Sequence, residues 1–339
     1  MESNSEPTLG PAQLRALELL RRGRRFVISG HMRPDGDCLG AQAALAVVLG
    51  KLGKEVVLLN PDPPESRYEY LAPEGGFQAY QGGELPEHDV IVVVDFCELS
   101  RAGALGERLA ESTAKKLVID HHIHTGEVWW DEAFVDTTAA ASGLLVHRVA
   151  RALEVELDTC AARAVFTSLV TDTGWFKYSN TDHETLAVAS EMVQLGVQPS
   201  ELFGKIYQRR SQAQPEYIRR LLDSVEFHAD GRLAIVRERL PGGGGSVDER
   251  VDSDDVLDIL RSIEDVEVVL HLREQEQGTC KLSARSKTDY DVQALASRFG
   301  GGGHRKASGA TMKGSLDAVS AALIEAAVQG FEQEAGSVA

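Results

Sequence analysis

The chain has 339 residues, of which 43% are apolar and 26% charged, and its formal net charge is -17. This length exceeds what a single hydrophobic core usually serves, so we expect two domains. The acidic balance argues against an extended basic surface that tracks long nucleic acid, because phosphate affinity depends on clustered Lys and Arg. The net charge does not exclude binding of short or small phosphorylated ligands.

The cysteines and the N-terminus indicate the compartment. Cys38, Cys97, Cys160 and Cys280 are far apart and form no CxxC pair, which predicts ordinary buried thiols and neither a disulfide framework nor a structural zinc site. The N-terminal stretch MESNSEPTLGPAQ is polar, and no apolar run approaches membrane-spanning length. We therefore expect a cytoplasmic protein without a membrane partner.

The first half of the chain alternates between helices and strands. PAQLRALELLRRG predicts a helix that ends at Gly23, RRFVISGH a strand that ends near His31, and CLGAQAALAVVLGKLG a second helix. KEVVLLN, DVIVVVDF and KKLVID are short, nearly continuous apolar runs, typical of strands covered on both faces. TTAAASGLLVHRVARAL, beginning at a Thr cap, AARAVFTSLVTDTG and HETLAVASEMVQLGV predict further helices. The alternation indicates a parallel sheet.

The pattern changes after Gly196. SELFGKIYQRRSQAQPEYIRRLLDSV is polar and helical, and from Val225 onward the chain alternates like an antiparallel sheet with hairpins before a final amphipathic helix. The glycine run at residues 242–245 indicates a flexible linker. We predict an α/β protein: a parallel-sheet N-terminal domain over residues 1–196, a helical linker over residues 197–216, and a smaller mixed α/β domain over residues 217–339, with a cleft between the domains.

Acids and histidines follow the strands at the ends where loops converge. They are His31, Asp35 and Asp37 in GHMRPDGDCLGA, Asp95 in VVVDF, Asp120, His121 and His122 in VIDHHIH, and Asp172 in TDTGWFKYSN. In parallel α/β sheets the loops beyond the carboxyl ends of the strands meet at one crevice. We therefore expect one site to collect these side chains, with Gly174 allowing the turn that brings in the last.

Each of these residues alone has an ordinary structural explanation. Asp35 or Asp37 could cap a helix, Asp95 could be a solvated turn residue, and His121 or His122 could be a packed or surface imidazole. Together, crowded carboxylates raise each other's pKa unless cations neutralise them. Carboxylates with a minority of imidazoles suit Mn²⁺ or Mg²⁺. Two such ions about 3.5–4 Å apart, sharing a carboxylate, can hold a hydroxide for attack on phosphorus.

Five motifs carry a family resemblance. HMRPDGD, VVVD, IDHH, TDTGWFKYSNT and GGGGHRKASG, in this order, resemble the successive motifs of the DHH phosphoesterase superfamily with its DHH-associated C-terminal domain. The likeness extends from about His31 to Gly309. Order, spacing and length are most similar to the NrnA-like branch, which degrades very short RNA and dephosphorylates 3′-phosphoadenosine 5′-phosphate.

The resemblance implies roles for the acidic cluster. It gives one metal site to His31, Asp35 and Asp95, and the other to Asp37, Asp95, His121 and Asp172, so that Asp95 bridges two Mn²⁺ ions, with Mg²⁺ as the alternative. It also implies that Asp120 supports the cluster by hydrogen bonding and that His122 faces the scissile phosphate and assists the leaving oxygen. The catalytic residues are then His122, Asp95 and Asp120.

A second group of candidates lies in the last third of the chain. Residues 300–303 are all glycine, and glycines let backbone N–H groups approach a phosphate closely, although such a run alone indicates a linker. The HRKASG that follows and the strand-borne Arg285 make a local basic cluster that suits a small phosphorylated ligand. The resemblance implies that this domain holds the substrate's base and terminal phosphate. The expected substrate-binding residues are Arg285, Arg298, Gly301, Gly302, Gly303, His304 and Ser308.

We therefore expect a manganese-dependent hydrolase of short oligoribonucleotides and of 3′-phosphoadenosine 5′-phosphate, with no long nucleic acid as partner. The enzymatic alternatives are a phosphodiesterase for cyclic di-AMP or its linear product and a RecJ-like single-strand exonuclease. The non-enzymatic alternative is a nucleotide-binding sensor, which the presence of every expected ligand residue disfavours. The sequence leaves open whether the chain forms a homodimer.

Overall fold

The computed structural model describes residues 9–124, 126–239, 253–275 and 278–337. The chain divides into two compact units, Met1–Gln208 and Arg209–Ala339, and this division falls within the stretch that we predicted as a helical linker. The domain limits at residues 196 and 216 stay predictions. The glycine run at residues 242–245 lies outside the described residues.

Short runs of Val, Ile and Leu form a parallel six-stranded sheet in the N-terminal unit. Its strands are β1 (Arg25–Ser29), β2 (Glu55–Asn60), β3 (Phe77–Ala79), β4 (Val90–Val94), β5 (Lys115–Asp120) and β6 (Glu132–Val135). Their order is β3-β2-β1-β4-β5-β6, and every neighbouring pair is parallel. The predicted parallel sheet is confirmed. β3 and β6 were not predicted, because they are too short to show a pattern.

Helices cover both faces of this sheet. They are α1 (Pro11–Arg22), α2 (Gly36–Lys51), α3 (Gly103–Glu111), α4 (Ser142–Ala152), α5 (Thr159–Asp172), α6 (His183–Gln194) and α7 (Pro199–Tyr207). α2 is buried on nearly every side. It approaches α5 so closely that a Cβ at Gly40 would lie 2.5 Å from the carbonyl oxygen of Ala164. The first turn of α2, which carries Asp37, is thereby fixed inside the core.

The predicted start of α4 at a threonine cap was wrong. The helix begins at Ser142, and Ala141 before it is extended (φ -163°, ψ 154°). The carbonyl of Ala139 accepts from the His121 imidazole, and that of Ala140 accepts from the Asn180 side chain. Because these carbonyls bind distant side chains, the alanine run does not join the helix despite its high helix propensity.

The C-terminal unit contains a second six-stranded sheet. Its strands are β7 (Glu226–His228), β8 (Leu233–Glu238), β9 (Val268–Gln275), β10 (Thr279–Ser286), β11 (Gly302–His304) and β12 (Ala307–Lys313), and its helices are α8 (Gln214–Leu222), α9 (Asp254–Arg261), α10 (Val292–Ser297) and α11 (Leu316–Ser337). The order is β11-β12-β10-β9-β8-β7. β8 and β9 are parallel, whereas the other described pairs are antiparallel. The alternating pattern indicated an antiparallel sheet, and only the pair of β8 and β9 departs from it among the described pairs. The reason is that α9 lies between these two strands and returns the chain in the same direction.

Each unit has its own hydrophobic core on both faces of its sheet. In the C-terminal unit, α10 and α11 cover one face, and α8 and α9 cover the other. The mixed α/β fold predicted for this half is confirmed. Among the helices that the structure describes, none is both long and apolar enough to cross a membrane.

Candidate metal centre and active site

The carboxyl ends of β1, β4 and β5 meet at the point where the strand order reverses. His31 follows β1, Asp95 follows β4 directly, and Asp120 is the last residue of β5. β1 and β4 are neighbours in the sheet although β2 and β3 separate them in the chain. Connections therefore leave these two strands in opposite directions and open a crevice, which is where open α/β sheets bind ligands.

Asp95 lies at the centre of this crevice. Its backbone is left-handed (φ +69°), a conformation that Asp tolerates better than most residues. Its Oδ2 lies 3.2 Å from Nε2 of His31, and its Oδ1 lies 3.4 Å from Nε2 of His121. Ser142 Oγ donates to Oδ1 at 3.0 Å. One carboxylate therefore faces two imidazoles from different strands.

Asp37 is held by the amino end of α4. Ser142 N donates to its Oδ2 at 2.9 Å, and Gly143 N donates to its Oδ1 at 3.2 Å. Ser168 Oγ of α5 donates to Oδ1 at 2.5 Å. Three donors, two of them amides at a helix N-terminus, therefore fix both oxygens of Asp37 in a buried position.

Asp35 has two roles at the start of α2. It is the N-cap, and its Oδ1 accepts from the backbone N–H of Asp37 and of Cys38 at 3.1 Å each. Its Oδ2 lies 4.0 Å from Nε2 of His31. One oxygen therefore fixes the helix end, and the other faces the crevice.

Asp172 reaches the crevice from the last residue of α5. Its Oδ2 lies 3.9 Å from Nε2 of His121, whose Nε2 is also 3.5 Å from Oδ2 of Asp37. Gly174 follows with φ +55°, as expected for the turn. The Asn180 side chain contacts both the carbonyl and the carboxylate of Asp172.

The DHH stretch uses its three residues differently because the strand ends there. Asp120 is fully buried, and its Oδ1 accepts from the backbone N–H groups of His121 and His122 at 2.8 and 3.2 Å and from Nδ1 of His122 at 2.8 Å. Cys97 Sγ donates to its Oδ2 at 2.9 Å. Asp120 therefore holds both histidines, and Nδ1 of His122 is engaged on the protein side.

The crowding shifts the pKa of these groups in opposite directions. Burial and the charge of Asp95 raise the pKa of Asp37 well above its usual value. Burial would also raise the pKa of Asp95, but the imidazoles of His121 and His31 hold it well below. Burial lowers the pKa of His121, but Asp95 and Asp37 raise it to about 11. Burial, opposed by His121, raises the pKa of Asp172 to about 6.

These side chains have the properties of a divalent cation site. Nε2 of His31 and Nε2 of His121 are buried and have no hydrogen-bond partner, although carboxylate oxygens lie within 4 Å of each. Within the described part of the chain, ligand atoms lie within 4.8 Å of one another in three groups: His31 with Cys38 and Asp95, Asp95 with His121 and His122, and Asp37 with His121 and Asp172. Cations bound by these groups would give the two nitrogens a partner and would neutralise the negative charge of the carboxylates.

The predicted substrate-binding residues of the C-terminal unit divide into two faces. Arg285 and His304 both pair with Ala307 of β12, so their side chains lie in one row on the same face of the sheet. Ser308 points to the opposite, core side and donates its hydroxyl to the carbonyl of His304 at 2.7 Å. Arg298 ends α10, and its guanidinium donates to the carbonyl of Ala326 in α11 at 3.3 Å.

The glycines of this region are not equivalent. A Cβ at Gly301 would lie 2.1 Å from the carbonyl of Gly309, and one at Gly303 would lie 2.6 Å from the carbonyl of Ala307, so packing on β12 requires both glycines. Gly302 is exposed on the edge strand β11, and a Cβ there would meet nothing within 4 Å. Packing therefore does not explain why residue 302 is a glycine.

Sequence reasoning missed three contributors to the centre. Ser142 and Ser168 hold Asp37 or Asp95, and Cys38 lies beside His31. Only the small residues at the start of α4 gave a signal, since Ser-Gly is a common beginning for a helix that receives an anion. The cysteines are also not all buried as expected, because Cys160 is exposed.

Comparison with known proteins gives the family. The DHH family, N-terminal domain, matches residues 25–190, and the DHHA1 domain matches residues 246–333. The bifunctional oligoribonuclease and PAP phosphatase NrnA of Thermus thermophilus is 34% identical over 88% of this chain and 88% of its own length.

Solved structures share the fold. An exopolyphosphatase-related protein from Bacteroides fragilis has a TM-score of 0.87 and 22% identity over 97% of this chain and 98% of its own. RecJ from Thermus thermophilus, solved in complex with Mn²⁺, has a TM-score of 0.50 and 17% identity over 95% of this chain and 55% of its own. The family predicted from the five motifs is confirmed: this chain belongs to the DHH family of phosphoesterases and carries a C-terminal DHHA1 domain.

Proposed function

We propose that this chain hydrolyses short oligoribonucleotides and 3′-phosphoadenosine 5′-phosphate with two bound Mn²⁺ ions. The relative of 34% identity, which spans nearly the whole chain, has both activities in its name. The observation that carries the proposal is the placement of Asp95 between His31 and His121, with both Nε2 atoms buried and without a hydrogen bond. A carboxylate with a buried imidazole on each side can be shared by two cations, as in two-metal sites.

The ligand sets implied by the family resemblance are consistent with these distances. His31, Asp35 and Asp95 would hold one ion, and Asp37, Asp95, His121 and Asp172 would hold the other. When bound, the ions would activate water and neutralise charge on the phosphate. Carboxylate oxygens and imidazoles suit Mn²⁺, with Mg²⁺ as the alternative.

The chain's own residues would orient and protonate the substrate. Asp120 engages Nδ1 of His122, so a contact between this ring and the phosphate goes through Nε2. In that position Nε2 of His122, when it carries a proton, would donate a hydrogen bond to the phosphate or to the leaving oxygen. Asp120 keeps the ring in one orientation.

The test combines metal removal with a substitution at Asp95. Asn fits the left-handed backbone at this position, so Asp95→Asn removes the charge without the strain that Ala would add. We expect the chelator-treated wild type to be inactive until Mn²⁺ is restored. Because removing one group that stabilises a transition state costs about 10²- to 10³-fold, and Asp95 would serve both ions, we expect at least this loss in kcat.

The substrates for this assay should be compared side by side. They are a labelled RNA dinucleotide, a longer RNA, 3′-phosphoadenosine 5′-phosphate, and linear and cyclic di-adenylate. The proposal requires the dinucleotide and the bisphosphate to be the best substrates. An Asp95→Asn protein that keeps wild-type turnover, or a wild type that prefers cyclic di-adenylate or the longer RNA, would contradict it.

We also propose that Arg285, Gly302 and His304 bind the substrate's terminal phosphate. Arg285 and His304 lie in one row of the sheet, and Gly302 is exposed on the edge strand β11, where no side chain keeps a ligand from the backbone. A methyl group at position 302 meets no protein atom, so Gly302→Ala should fold normally but block a close approach. Loss of one charge-assisted hydrogen bond weakens binding by about 1.5–3 kcal/mol, which corresponds to an increase in KM of about 10- to 150-fold.

Gly50→Ala is the matched control for this substitution. Gly50 lies in α2, and a Cβ there also meets nothing within 4 Å. We expect unchanged KM and kcat for this variant. An unchanged KM in Gly302→Ala would remove this residue from the phosphate site while leaving the metal proposal intact. The cytoplasmic location stays a prediction.

A further inference from the structure

The thiol of Cys38 lies in the same donor group as two of the proposed metal ligands. A sulfur of Cys38, a nitrogen of His31 and a carboxylate oxygen of Asp95 lie within 4.8 Å of one another. All three residues are buried, with relative exposures of 0%, 5% and 3%. Nε2 of His31 has no hydrogen-bond partner, which points independently to a ligand at this place.

The surrounding structure fixes the sulfur. Cys38 lies in the first turn of α2, where its N–H donates to Asp35 at 3.1 Å. Gln42, one turn later, donates its Nε2 to Sγ at 3.2 Å. This contact fixes the position of the sulfur, and groups that orient a ligand in this way strengthen metal binding.

The strand end beside Cys38 leaves room for the sulfur. A Cβ at Gly30 would lie 2.1 Å from Sγ. The backbone of the loop that carries His31 can approach the thiol only because residue 30 has no side chain. Sγ is therefore packed against the segment that presents the imidazole.

We propose that Cys38 is a ligand for thiophilic divalent cations at the site of His31 and Asp95, and that it thereby sets the metal preference of this site. The inference rests on the proposed cation site. Zn²⁺, Cd²⁺ and Co²⁺ accept thiolate, imidazole and carboxylate together, whereas Mn²⁺ favours oxygen and imidazole donors. On binding of a thiophilic ion the S–H bond breaks, the proton passes to solvent, and a sulfur–metal bond forms without any change in oxidation state.

The experiment is a Co²⁺ titration of the chelator-treated full-length protein. A Co²⁺–thiolate bond gives a charge-transfer absorption band in the near ultraviolet, which oxygen and imidazole ligands do not give. We expect the band at stoichiometric Co²⁺ in the wild type, and its loss in Cys38→Ala and in Cys38→Ser. Cys160→Ser, which removes an exposed thiol, and Cys280→Ala, which removes a buried thiol of the C-terminal unit, are the controls that should keep it.

Competition between ions gives the second readout. We expect Zn²⁺ affinity to fall by at least about 10- to 100-fold in Cys38→Ala, because removing a group that only supports a ligand already has this effect, while Mn²⁺ affinity stays within about threefold. Cys38→Ser keeps the size of the side chain, and its thermal unfolding with Mn²⁺ shows that the fold is intact.

The outcomes separate the two proposals. Stoichiometric Co²⁺ binding without the band, or a band that persists in both Cys38 variants, overturns the role of Cys38 and leaves the proposed function standing. Failure of the wild type to bind either Co²⁺ or Mn²⁺ overturns both.

Discussion

Replacing Asp120 by Asn tests how the DHH stretch controls His122. The buried Oδ1 of Asp120 accepts from Nδ1 of His122 and from two backbone N–H groups, and its Oδ2 accepts from Cys97 Sγ. An Asn of the same shape keeps the oxygen toward the three nitrogen donors and turns its amide toward the sulfur. Only the negative charge is lost.

The size of the effect follows from this single bond. A hydrogen bond to a charged group contributes about 1.5–3 kcal/mol and a neutral one about 0.5–1.5 kcal/mol, so the contact with His122 weakens by roughly 1–1.5 kcal/mol. If this loss falls on the transition state, kcat decreases about 5- to 13-fold. The proposed metal ligands keep their positions, so Mn²⁺ affinity should change by less than about threefold, well below the loss expected when a supporting group is removed.

The assay is steady-state hydrolysis of an RNA dinucleotide at saturating Mn²⁺, with Mn²⁺ binding measured separately by calorimetry. Asp120→Ala is the comparison, because it leaves the backbone N–H groups of His121 and His122 without their acceptor, and each such group costs about 1–3 kcal/mol of folding stability. An unchanged kcat in Asp120→Asn would show that the charge has no role. Loss of Mn²⁺ binding in that variant would place Asp120 among the ligands instead.

Two other substitutions probe the support of the centre and the stability of the second unit. Gly143→Ala should weaken Mn²⁺ binding in a calorimetric titration by about 10-fold or more, because a Cβ there would lie 2.1 Å from Ser168 Oγ and displace a donor to Asp37; unchanged binding would contradict this. Glu238→Gln should lower the free energy of unfolding at neutral pH by about 1.5–3 kcal/mol, since burial would raise the pKa of Glu238 but its hydrogen bond with His271 helps to hold it below the usual value. A lowered pKa stabilises the fold above the pKa of the unfolded chain and loses this effect as pH falls through the folded value, so urea midpoints of the two proteins should converge below about pH 4.5 and differ at neutral pH.

Much of the fold could be predicted because its signals are local. Continuous apolar runs such as VIVVV form strands that are buried on both faces, and Asp95 follows this one directly. The placement of His31, Asp95 and Asp120 at one edge follows from strand direction alone, since parallel strands end on the same side. The division of the ligand residues between the two proposed cation sites came from the family motifs. It could not be predicted from the positions of the acidic residues alone.

The contributors that escaped prediction depend on packing between helices. Ser168 contacts Asp37 only because α5 lies against α2, and no spacing in the sequence relates residues 131 positions apart. Cys38 was not expected to have a role, because a lone cysteine without a CxxC partner carries no metal signal. The alanines before Ser142 have strong helix propensity, but their carbonyls bind side chains from elsewhere in the unit.

The charges of the centre indicate why two divalent ions fit it. Asp35, Asp37, Asp95 and Asp172 supply four carboxylates, whereas Asp120 is already hydrogen-bonded by its own neighbours. Two protonated imidazoles would balance only half of these negative charges, and burial together with the neighbouring carboxylates raises the pKa of Asp37 and Asp172. The two proposed divalent ions, with neutral imidazoles, would balance all four. An incoming phosphate would then bring uncompensated negative charge, which a hydrogen-bond donor beside the centre, such as the proposed His122, would offset.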